Sequence, residues 1–392
     1  MTGLSLEQHR PTWAEIDLDA LAHNARVLRG RLGTARIMAV VKADAYGHGA
    51  VPVARALERE GVAWLAVALP EEGVEIRSAG VRTPTLVMGG FAAAQADLIL
   101  EHGLTAAVFR PDQVEALSSA AARHGIKAQV HVKIDTGMGR LGVPVQEVAG
   151  FAGILMGAPS LDVSGAFSQL AAADDPDDPF TATQVNLFLR SVAALRERGL
   201  RPELLHLANS PAVIDHRSTW LTLARPGLLL FGYNPVTRGN LLAVRPVMAV
   251  RSRVIDLKDL PAGASVGYGR AWRAGGPSRI ATLPIGYADG LPRAAGNRGH
   301  VLLRGRRAPI VGRVSMDLTT LDVTDIPETA LGDVATVLGA ADGDLVGADA
   351  LAVAAGTISW EILSRIGGRV PRLFLEGGRA ALSSRFSVPG VE

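Results

Sequence analysis

The sequence predicts an α/β protein, with an N-terminal (β/α)8 barrel of the TIM type followed by a second domain that is mostly β. Two observations support this fold class. Between about Arg36 and Arg225, eight short runs rich in Val, Ile and Leu alternate with longer segments of helical periodicity, as in a barrel of parallel strands. After Tyr233 the runs become shorter, and Gly and Pro separate them at intervals of about 8 to 12 residues, as in an all-β domain.

The barrel strands are predicted from apolar runs, and the segments between them from apolar residues at helical spacing. For example, the helix predicted over Asp112–Arg123 ends before Gly125, and the helix predicted over Gln184–Arg198 ends before Gly199. The predicted barrel strands are Ile37–Val41, Trp64–Val67, Thr85–Val87, Thr105–Val108, Gln129–Lys133, Leu161–Ala166, Leu204–Leu207 and Thr222–Arg225.

Three segments are predicted along the chain. Residues 1–18 contain an N-terminal strand, Trp13–Leu18, that packs with the β domain, residues 19–240 form the barrel, and residues 241–392 form the β-rich domain. The acidic stretch Asp174–Asp178 is predicted to be an exposed loop. Strands of the second domain are predicted at Leu242–Ile255, Arg279–Pro284, His300–Leu303, Ala308–Val311 and Leu318–Val323.

Composition excludes several classes of protein. The 392 residues are 48% hydrophobic and 20% charged, with a net charge of +2, which fits a folded globular chain and not a disordered one. Basic residues are not clustered, so no nucleic-acid surface is indicated, and no apolar run approaches the ~18 residues of a membrane span. Because there is no cysteine, disulfides, thiolate metal sites and cysteine nucleophiles are excluded. The N-terminus shows no export signal, so we expect a cytoplasmic protein with no metal, nucleic-acid or membrane partner.

Polar residues follow several predicted strands, at the end of the barrel where active sites are built. Lys42 follows the first strand. A lysine at the exit of a buried strand is costly to desolvate, which makes it a candidate for covalent or general-base chemistry. Taken alone, a rim lysine whose charged end reaches solvent is the more ordinary interpretation. The other strand-end residues are Lys133, Arg140, Gln169, His206, Asn209, Ser210, Arg225 and Gly227.

Two of these strand ends predict a phosphate site. Ser210 precedes Pro211 and is predicted to be a helix N-cap, where free backbone N–H groups suit an anion. Gly227, after the last strand, allows the backbone to approach a ligand closely, as in the phosphate site common in barrels. Because a barrel holds pyridoxal 5′-phosphate with a phosphate site and a strand-end lysine, the sequence predicts this cofactor.

The chain resembles the alanine racemase family at seven places. The resemblance extends over nearly the whole length, with barrel and β domain in the same order. The matching motifs are VVKADAYGHG, HVKIDTGMGRLG, HLANSPA, ARPGLLLFGY, VGYGR, IGYADG and VSMDLTTLDV.

This resemblance implies roles for the barrel residues. Lys42 carries the cofactor and, once substrate displaces it, acts as the base for D-alanine. Arg225 faces the pyridine nitrogen. Because an arginine stays protonated, that nitrogen stays neutral and the ring is a weaker electron sink, which limits competing transamination. The other cofactor-binding residues are Tyr46, Asn209, Ser210, Gly227 and Leu228, with Arg140 at the phenolic oxygen.

The resemblance also implies a second base. Racemisation by two bases needs one on each face of the substrate α-carbon, and the family motif assigns Tyr268 to the face that takes the α-proton of L-alanine. Tyr268 lies in the β domain, and the family supplies it from the second subunit of a homodimer with shared active sites. Met316, which binds substrate, and Asp317 come from the same subunit, and Tyr287 lines the entry path.

The remaining implied residues surround the reacting groups. Arg140 reaches the substrate carboxylate. Lys133, as an ammonium, repels Arg140 by about 4 kcal/mol if ~4 Å separates them at an effective dielectric of about 20, and members of the family often carry this lysine as a carbamate, which reverses the sign. His206 is expected behind the site. Gln169 stands where the family commonly has a histidine that links the catalytic tyrosine to Arg225, so that link is in doubt.

The function implied is interconversion of L-alanine and D-alanine, which supplies D-alanine for peptidoglycan. A non-catalytic pyridoxal-phosphate carrier on the same barrel needs neither the β domain nor the opposing tyrosine. A decarboxylase of related architecture has a carboxylate at the pyridine nitrogen and commonly recruits a cysteine, whereas this chain has Arg225 and no cysteine. Racemisation of serine or of a broad range of amino acids stays open, because a sequence does not measure pocket volume.

Overall fold

A computed structural model describes residues 9–383, and the chain divides into two compact units. The barrel unit comprises Leu21–Ala45 and Ala50–Arg245, and the β unit comprises Met1–Ala20, Tyr46–Gly49 and Pro246–Glu392. The domain limits predicted at residues 18 and 240 stay a prediction, and the terminal segments 1–8 and 384–392 of the predicted outer domains lie outside the described residues.

The strands of the first part of the chain coincide with the apolar runs of the sequence. The eight predicted barrel runs each overlap a strand, with ends that differ by at most two residues. In chain order the strands are β1 (Thr12–Asp17), β2 (Arg36–Val40), β3 (Trp64–Val67), β4 (Thr85–Val87), β5 (Thr105–Val108), β6 (Ala128–Asp135), β7 (Val143–Pro144), β8 (Leu161–Phe167), β9 (Leu204–His206) and β10 (Leu223–Ala224).

Eight of these strands close into a parallel barrel, which confirms the predicted fold class for this unit. Hydrogen-bonded neighbours follow the order β5-β4-β3-β2-β10-β9-β8-β6, and pairing of β5 with β6 closes the ring. Side chains such as Met38, Leu65 and Phe167 are almost wholly buried, and burial of each contributes about 1.5 to 3 kcal/mol to folding. The polar residues that follow these strands therefore share one rim above a packed core.

Helices lie between the barrel strands. Proline occupies the first turn of the helices Pro70–Ser78 and Pro111–Arg123, where its missing N–H costs nothing. Among residues 9–383, no helix combines the length and the apolar character needed to cross a bilayer. The α-helices up to residue 215 are Leu18–Leu32, the short left-handed Lys42–Gly47, Ala50–Arg59, Pro70–Ser78, Ala96–Glu101, Pro111–Arg123, Val148–Met156, Phe180–Glu197 and Ser210–Asp215.

The β unit is mostly β, as predicted. Its strands are β11 (Met248–Arg253), β12 (Asp256–Leu260), β13 (Ser265–Val266), β14 (Trp272–Arg273), β15 (Ser278–Leu283), β16 (His300–Leu303), β17 (Arg306–Pro309), β18 (Thr319–Asp322), β19 (Val334–Ala341), β20 (Asp344–Val346), β21 (Arg372–Glu376) and β22 (Arg379–Ser383). The main sheet has the order β17-β16-β19-β11-β1-β21-β22, with β20 on β19. Strand β1 is therefore central in it, antiparallel to β11 and parallel to β21.

Two features of the β unit differ from the sequence prediction. The strand predicted over Leu242–Ile255 is present only over Met248–Arg253, because Pro246 lacks an N–H for a sheet ladder and the Arg245 N–H donates to Asn24 Oδ1 instead. The helices Ala348–Ala355 and Ser359–Ser364 were not predicted.

Candidate functional site

Lys42 lies two residues after the end of β2 and is half-buried at the C-terminal rim of the barrel unit. Burial lowers the pKa of Lys42, and the charges of Arg140 and Arg225 lower it further, whereas the Glu72 carboxylate raises it. A lowered pKa increases the fraction of the side chain that is a neutral amine, which is the nucleophilic and basic form.

The chain after Lys42 forms a left-handed helical turn. Ala43, Asp44, Ala45 and Tyr46 have φ angles of 53°, 53°, 52° and 56°, in a region that costs ordinary L-residues roughly 1 to 2 kcal/mol each. Such a run persists only where surrounding contacts over-determine it, and strain of this kind is concentrated at functional sites.

Arg225, after β10, is a buried cation whose hydrogens are almost all engaged. Its Nη1 donates to His206 Nδ1 (3.0 Å) and to the His206 carbonyl (2.7 Å), and its Nη2 donates to the carbonyls of Ser168 (2.7 Å) and Leu207 (3.1 Å). Burial lowers the pKa of Arg225 to about 9, so the guanidinium still carries its charge at neutral pH. Within the described residues only the Nε–H of this side chain lacks an acceptor.

A pair of buried histidines lies behind Arg225. Because an arginine only donates, Nδ1 of His206 accepts, and its Nε2 carries the hydrogen that is shared with His131 Nδ1 at 2.8 Å. This arrangement requires both rings to be neutral. Burial and the Arg225 charge lower the pKa of His131 to about 3, and burial, Arg225 and His131 hold the pKa of His206 well below 6.5.

Lys133 is buried near the end of β6, between aromatic rings. Its Nζ donates to the Met88 carbonyl at 3.1 Å and lies 5.9 Å from the Phe109 ring centre and 5.5 Å from that of Phe167. Burial lowers the pKa of Lys133 to about 8, and the charges of Arg225, Arg140 and Lys42 act in the same direction. A substantial fraction of this side chain is therefore a neutral amine at mildly alkaline pH.

Gln169 follows β8 and lies beside Arg225. Its Oε1 accepts from Arg225 Nη2 at 3.4 Å, a long contact, and its Nε2 donates to the neighbouring Leu170 carbonyl at 3.4 Å. The amide oxygen thus faces the guanidinium, as a donor-only partner requires. Arg140, on the loop after β6, is exposed.

The two loops predicted to hold phosphate meet through Ser210. Its Oγ accepts from the Gly227 N–H at 2.9 Å and from the Leu229 N–H at 3.4 Å, so its own hydroxyl hydrogen is available to a ligand. Among the described residues, the backbone N–H groups of Ser210 and Leu228 have no acceptor. Several donors are therefore available at one place on the rim.

The sequence prediction of Ser210 as the N-cap of the helix Ser210–Asp215 is wrong by one residue. Asn209, not Ser210, is the N-cap: its backbone is extended and its Oδ1 accepts from the Ala212 N–H at 3.1 Å. The amide side chain of Asn209 reaches the third helical residue, so Ser210 is already inside the helix and its hydroxyl turns to the loop that contains Gly227.

Tyr46 and Tyr268 belong to the β unit. Tyr46 is buried, and burial raises its pKa. Tyr268, in contrast, is exposed over 72% of its surface. It lies between β13 and β14, in a turn where Gly267 and Gly269 have φ angles of 71° and 68°. The hairpin therefore presents the side chain of Tyr268 to solvent.

Tyr287, Met316 and Asp317 lie in one loop cluster of the β unit. The Tyr287 N–H donates to the Ser315 carbonyl at 3.0 Å, and the Ala288 N–H donates to the Met316 carbonyl at 3.0 Å. This close approach depends on Gly286, where a side-chain carbon would overlap both carbonyls.

Arg369 fixes the carboxylate in this cluster. Its Nη2 donates to Asp317 Oδ1 at 2.6 Å. Tyr287 and Met316, by contrast, leave 42% and 53% of their surfaces exposed.

The structure thus brings the predicted barrel residues to one rim and the predicted β-unit residues, apart from Tyr46 and Tyr268, to one loop cluster. Sequence reasoning missed His131 and Glu72. His131 could have been found, because it precedes Lys133 by two residues on β6 and side chains two apart share a face of a strand. No motif or spacing in the sequence pointed to Glu72 as a site residue.

Comparisons with known proteins agree with this architecture. Residues 16–235 match the family described as alanine racemase, N-terminal domain, and residues 247–374 match alanine racemase, C-terminal domain. An alanine racemase of Sorangium cellulosum is 44% identical, over 94% of this chain and all of that protein. One of Halothermothrix orenii is 41% identical, over 93% of this chain and 96% of that protein.

A solved structure is similar over the same extent. The alanine racemase of Streptomyces lavendulae superposes with a TM-score of 0.89 at 36% identity, covering 94% of this chain and 98% of that one. Fold, rim residues and these similarities define an amino-acid racemase, an isomerase built from a barrel and a β domain. The chain belongs to the alanine racemase family.

Proposed function

We propose that this protein interconverts L-alanine and D-alanine with pyridoxal 5′-phosphate and two bases, Lys42 and Tyr268. The observation that carries the proposal is the Arg225 guanidinium, whose four Nη hydrogens have acceptors and whose Nε–H does not. This Nε–H is the hydrogen of the guanidinium that has no protein acceptor among the described residues, and a pyridine nitrogen would supply one.

The available donors fit the cofactor. The Ser210 and Leu228 N–H groups and the Ser210 hydroxyl suit a phosphate, and Tyr46, Asn209 and Gly227 complete the proposed set. When bound, the cofactor withdraws electrons from the substrate α-carbon and makes its proton acidic. Because Arg225 is a cation, it donates to the pyridine nitrogen without protonating it, which keeps that withdrawal moderate and disfavours transamination.

The reacting protons are handled by the chain's own residues. Lys42, with a pKa lowered by burial, is in the proposal both the site of covalent attachment and the base for the D-alanine face. Tyr268 takes the proton on the L-alanine face. Arg140 is exposed at the rim and binds the substrate carboxylate, which fixes the α-carbon between the two bases.

We propose that Tyr268 acts in the site of a second copy of the chain. Its exposure, with that of Tyr287 and Met316, supports a homodimer in which these side chains become covered. Met316 then contacts substrate, Tyr287 lines its entry path, and Asp317 comes from the same subunit.

Lys133 is proposed to carry a carbamate. The neutral amine nitrogen attacks carbon dioxide, one N–C bond forms, and one amine proton leaves to solvent. The product is an anion among Arg140, Arg225 and Lys42, which replaces repulsion with attraction. Gln169 and His206 are proposed to orient Arg225 by accepting hydrogen bonds from it.

The test is a racemase assay with purified protein. L-alanine and a panel of other L-amino acids are supplied, and products are separated on a chiral column. D-alanine as the main product supports the proposal, whereas equal or faster turnover of serine or larger amino acids points to a broad racemase. The role in D-alanine supply for peptidoglycan is tested by growth of a D-alanine auxotroph that expresses the protein, and the cytoplasmic location stays a prediction.

The covalent site is tested separately. Lys42→Ala should abolish covalent cofactor retention after borohydride reduction, and Lys127→Ala, at an exposed lysine, should retain it. A reduced, covalently bound cofactor in Lys42→Ala would assign the attachment to another lysine.

A further inference from the structure

The left-handed turn after Lys42 needs an external support. Three consecutive non-glycine residues that follow Lys42, from Ala43 to Ala45, have positive φ. Inside the barrel unit the turn is held by the Ala45 N–H on the Val41 carbonyl (2.9 Å) and by Asp44 Oδ1, which accepts from the Ala50 N–H at 2.7 Å. Neither bond engages the amide next to Lys42 itself, which is that of Ala43.

Glu72 supplies the missing bond. Its Oε1 accepts from the Ala43 N–H at 2.6 Å, while its Oε2 accepts from the N–H groups of Ala68 (2.7 Å) and Leu69 (3.1 Å). Leu69 is the N-cap of the helix Pro70–Ser78 and has no side-chain acceptor, so the side-chain bond to the N-cap comes from Glu72, the third helical residue. One carboxylate therefore ties the backbone after β2 to the backbone after β3.

The bridge uses both oxygens of a carboxylate, each as an acceptor. A glutamine offers one acceptor oxygen and places N–H donors where the other oxygen was, and an aspartate is shorter by one methylene. Glu72 is only partly buried, and solvent also reaches the helix end that it bonds. Water can therefore replace the carboxylate at the helix end, so it is the left-handed turn that requires both carboxylate oxygens.

The charge of Glu72 acts on the same lysine. The titratable and charged groups around Lys42 come from several strand ends: Arg140 and Arg225 lower its pKa, Glu72 is the carboxylate that raises it, and Lys133, the proposed carbamate, is a further titratable group coupled to it. Removal of the Glu72 charge should therefore shift the titration of Lys42 to lower pH.

We infer that Glu72 is a positioning residue for Lys42: it holds the left-handed turn through the Ala43 amide and so aims the Lys42 amine at the group that it must attack. This inference rests on the proposed function, because it assumes that Lys42 captures pyridoxal 5′-phosphate.

The test measures the rate at which the apo-protein captures pyridoxal 5′-phosphate covalently, as a function of pH. Capture is trapped with borohydride and located by mass spectrometry, and each profile yields a plateau, where Lys42 is neutral, and a midpoint. The variants are Glu72→Gln, Glu72→Asp and the control Glu71→Gln. Glu71 is the adjacent exposed glutamate, and its Oε1 accepts from Gln95 Nε2 at 2.8 Å.

In Glu72→Gln we expect the plateau to fall at least about tenfold, since small misplacements of a reacting group cost one to two orders of magnitude, and the midpoint to move to lower pH. Glu72→Asp keeps a charge without the reach, so its plateau should fall while its midpoint stays closer to wild type. Glu71→Gln should match wild type in both. Hydrogen exchange at the Ala43 amide should be faster in both Glu72 variants.

Wild-type plateau and midpoint in Glu72→Gln would overturn the inference. A lower plateau with an unchanged midpoint in Glu72→Gln would also overturn it, because Glu72 would then contribute only to general stability. If Glu72→Gln does not fold, a wild-type plateau in Glu72→Asp overturns the inference on its own. Failure of the wild type to capture cofactor at Lys42 refutes the proposed function instead, and it is observed before any variant is compared.

Discussion

His131 Nδ1 lies 2.8 Å from His206 Nε2 inside the barrel unit, and both rings are completely buried. Since His206 accepts from Arg225 at its other nitrogen, protonation of either histidine places a second cation next to a buried guanidinium. Both histidines are therefore neutral in the folded protein.

Acid should destabilise the protein through this pair. The folded pKa values, about 3 for His131 and well below 6.5 for His206, are lower than in the unfolded chain. The unfolded chain therefore binds more protons below about pH 6.5, and stability that is complete above this pH is lost as the pH falls toward 3. Each histidine contributes up to about 1.4 kcal/mol per pH unit.

The measurement is the urea midpoint of unfolding between pH 4.5 and 7. His131→Gln should flatten its dependence on pH, and His124→Gln, at an exposed histidine paired with Asp97, should not. A variant at His131 that keeps the wild-type slope would show that other groups dominate acid unfolding.

Lys133 should take up carbon dioxide. With a pKa of about 8, its neutral fraction rises through the mildly alkaline range, so carbamate formation should increase from pH 7 to pH 9. Carbon-13 bicarbonate should give a carbamate signal that Lys133→Ala lacks and Lys127→Ala retains. We expect removal of carbon dioxide to lower activity at least about tenfold, which corresponds to about 1.4 kcal/mol. A protein with no such signal and undiminished activity argues that Lys133 stays an amine.

Mixed dimers should regain activity if a second copy delivers Tyr268. Lys42→Ala and Tyr268→Phe are each expected to be inactive, because each lacks one base in every site. A dimer that contains one chain of each kind has one site with both bases intact, so a hybrid dimer should show about half of the wild-type activity. An equimolar mixture in which subunits exchange freely contains about half hybrids and should therefore regain about a quarter. The control is a mixture of Lys42→Ala with wild type that is already exchanged. Hybrid dimers that are purified by two affinity tags and show no activity place both residues in one chain's site.

Gln169→His should shift the ascending limb of the pH profile of the L-to-D reaction, which reports deprotonation of the base. A histidine at position 169 that accepts a hydrogen bond from Arg225 at one ring nitrogen carries a donor N–H on its other ring nitrogen. In the wild type, the Gln169 amide accepts from Arg225 and directs its own N–H to the Leu170 carbonyl. An added donor beside a guanidinium favours an anionic base by about 1.5 to 3 kcal/mol at most. The pH profile of kcat/KM should therefore reach its plateau at lower pH in Gln169→His than in wild type or in Gln146→His, an exposed control. Identical profiles would remove Gln169 from the environment of that base.

The barrel strands were predictable because they are buried on both faces and therefore read as continuous apolar runs, as Trp64–Val67 and Thr105–Val108 do. The strand-end residues followed from the topology, since every strand leaves its polar successor on the same rim.

The local geometry of the rim was not predictable. The left-handed turn after Lys42 depends on bonds from Glu72 and Asp44, which are set by tertiary structure and leave no periodic trace in the sequence. Likewise, Asn and Ser are both favourable N-cap residues, so the sequence does not distinguish Asn209 from Ser210 as the N-cap. The position of the Gly227 loop, which takes up the Ser210 hydroxyl, decides between them.

Strand β1 pairs with two strands that are synthesised much later than β1 itself. β1 pairs with β11, which begins at Met248, and with β21, which begins at Arg372. Segments made early usually fold during synthesis, but β1 then has two unpaired backbone edges, and such edges pair readily with other chains. We therefore expect the nascent protein to be prone to aggregation through Thr12–Asp17 until Arg372–Glu376 has been synthesised, which is the earliest time at which both edges of β1 can be paired.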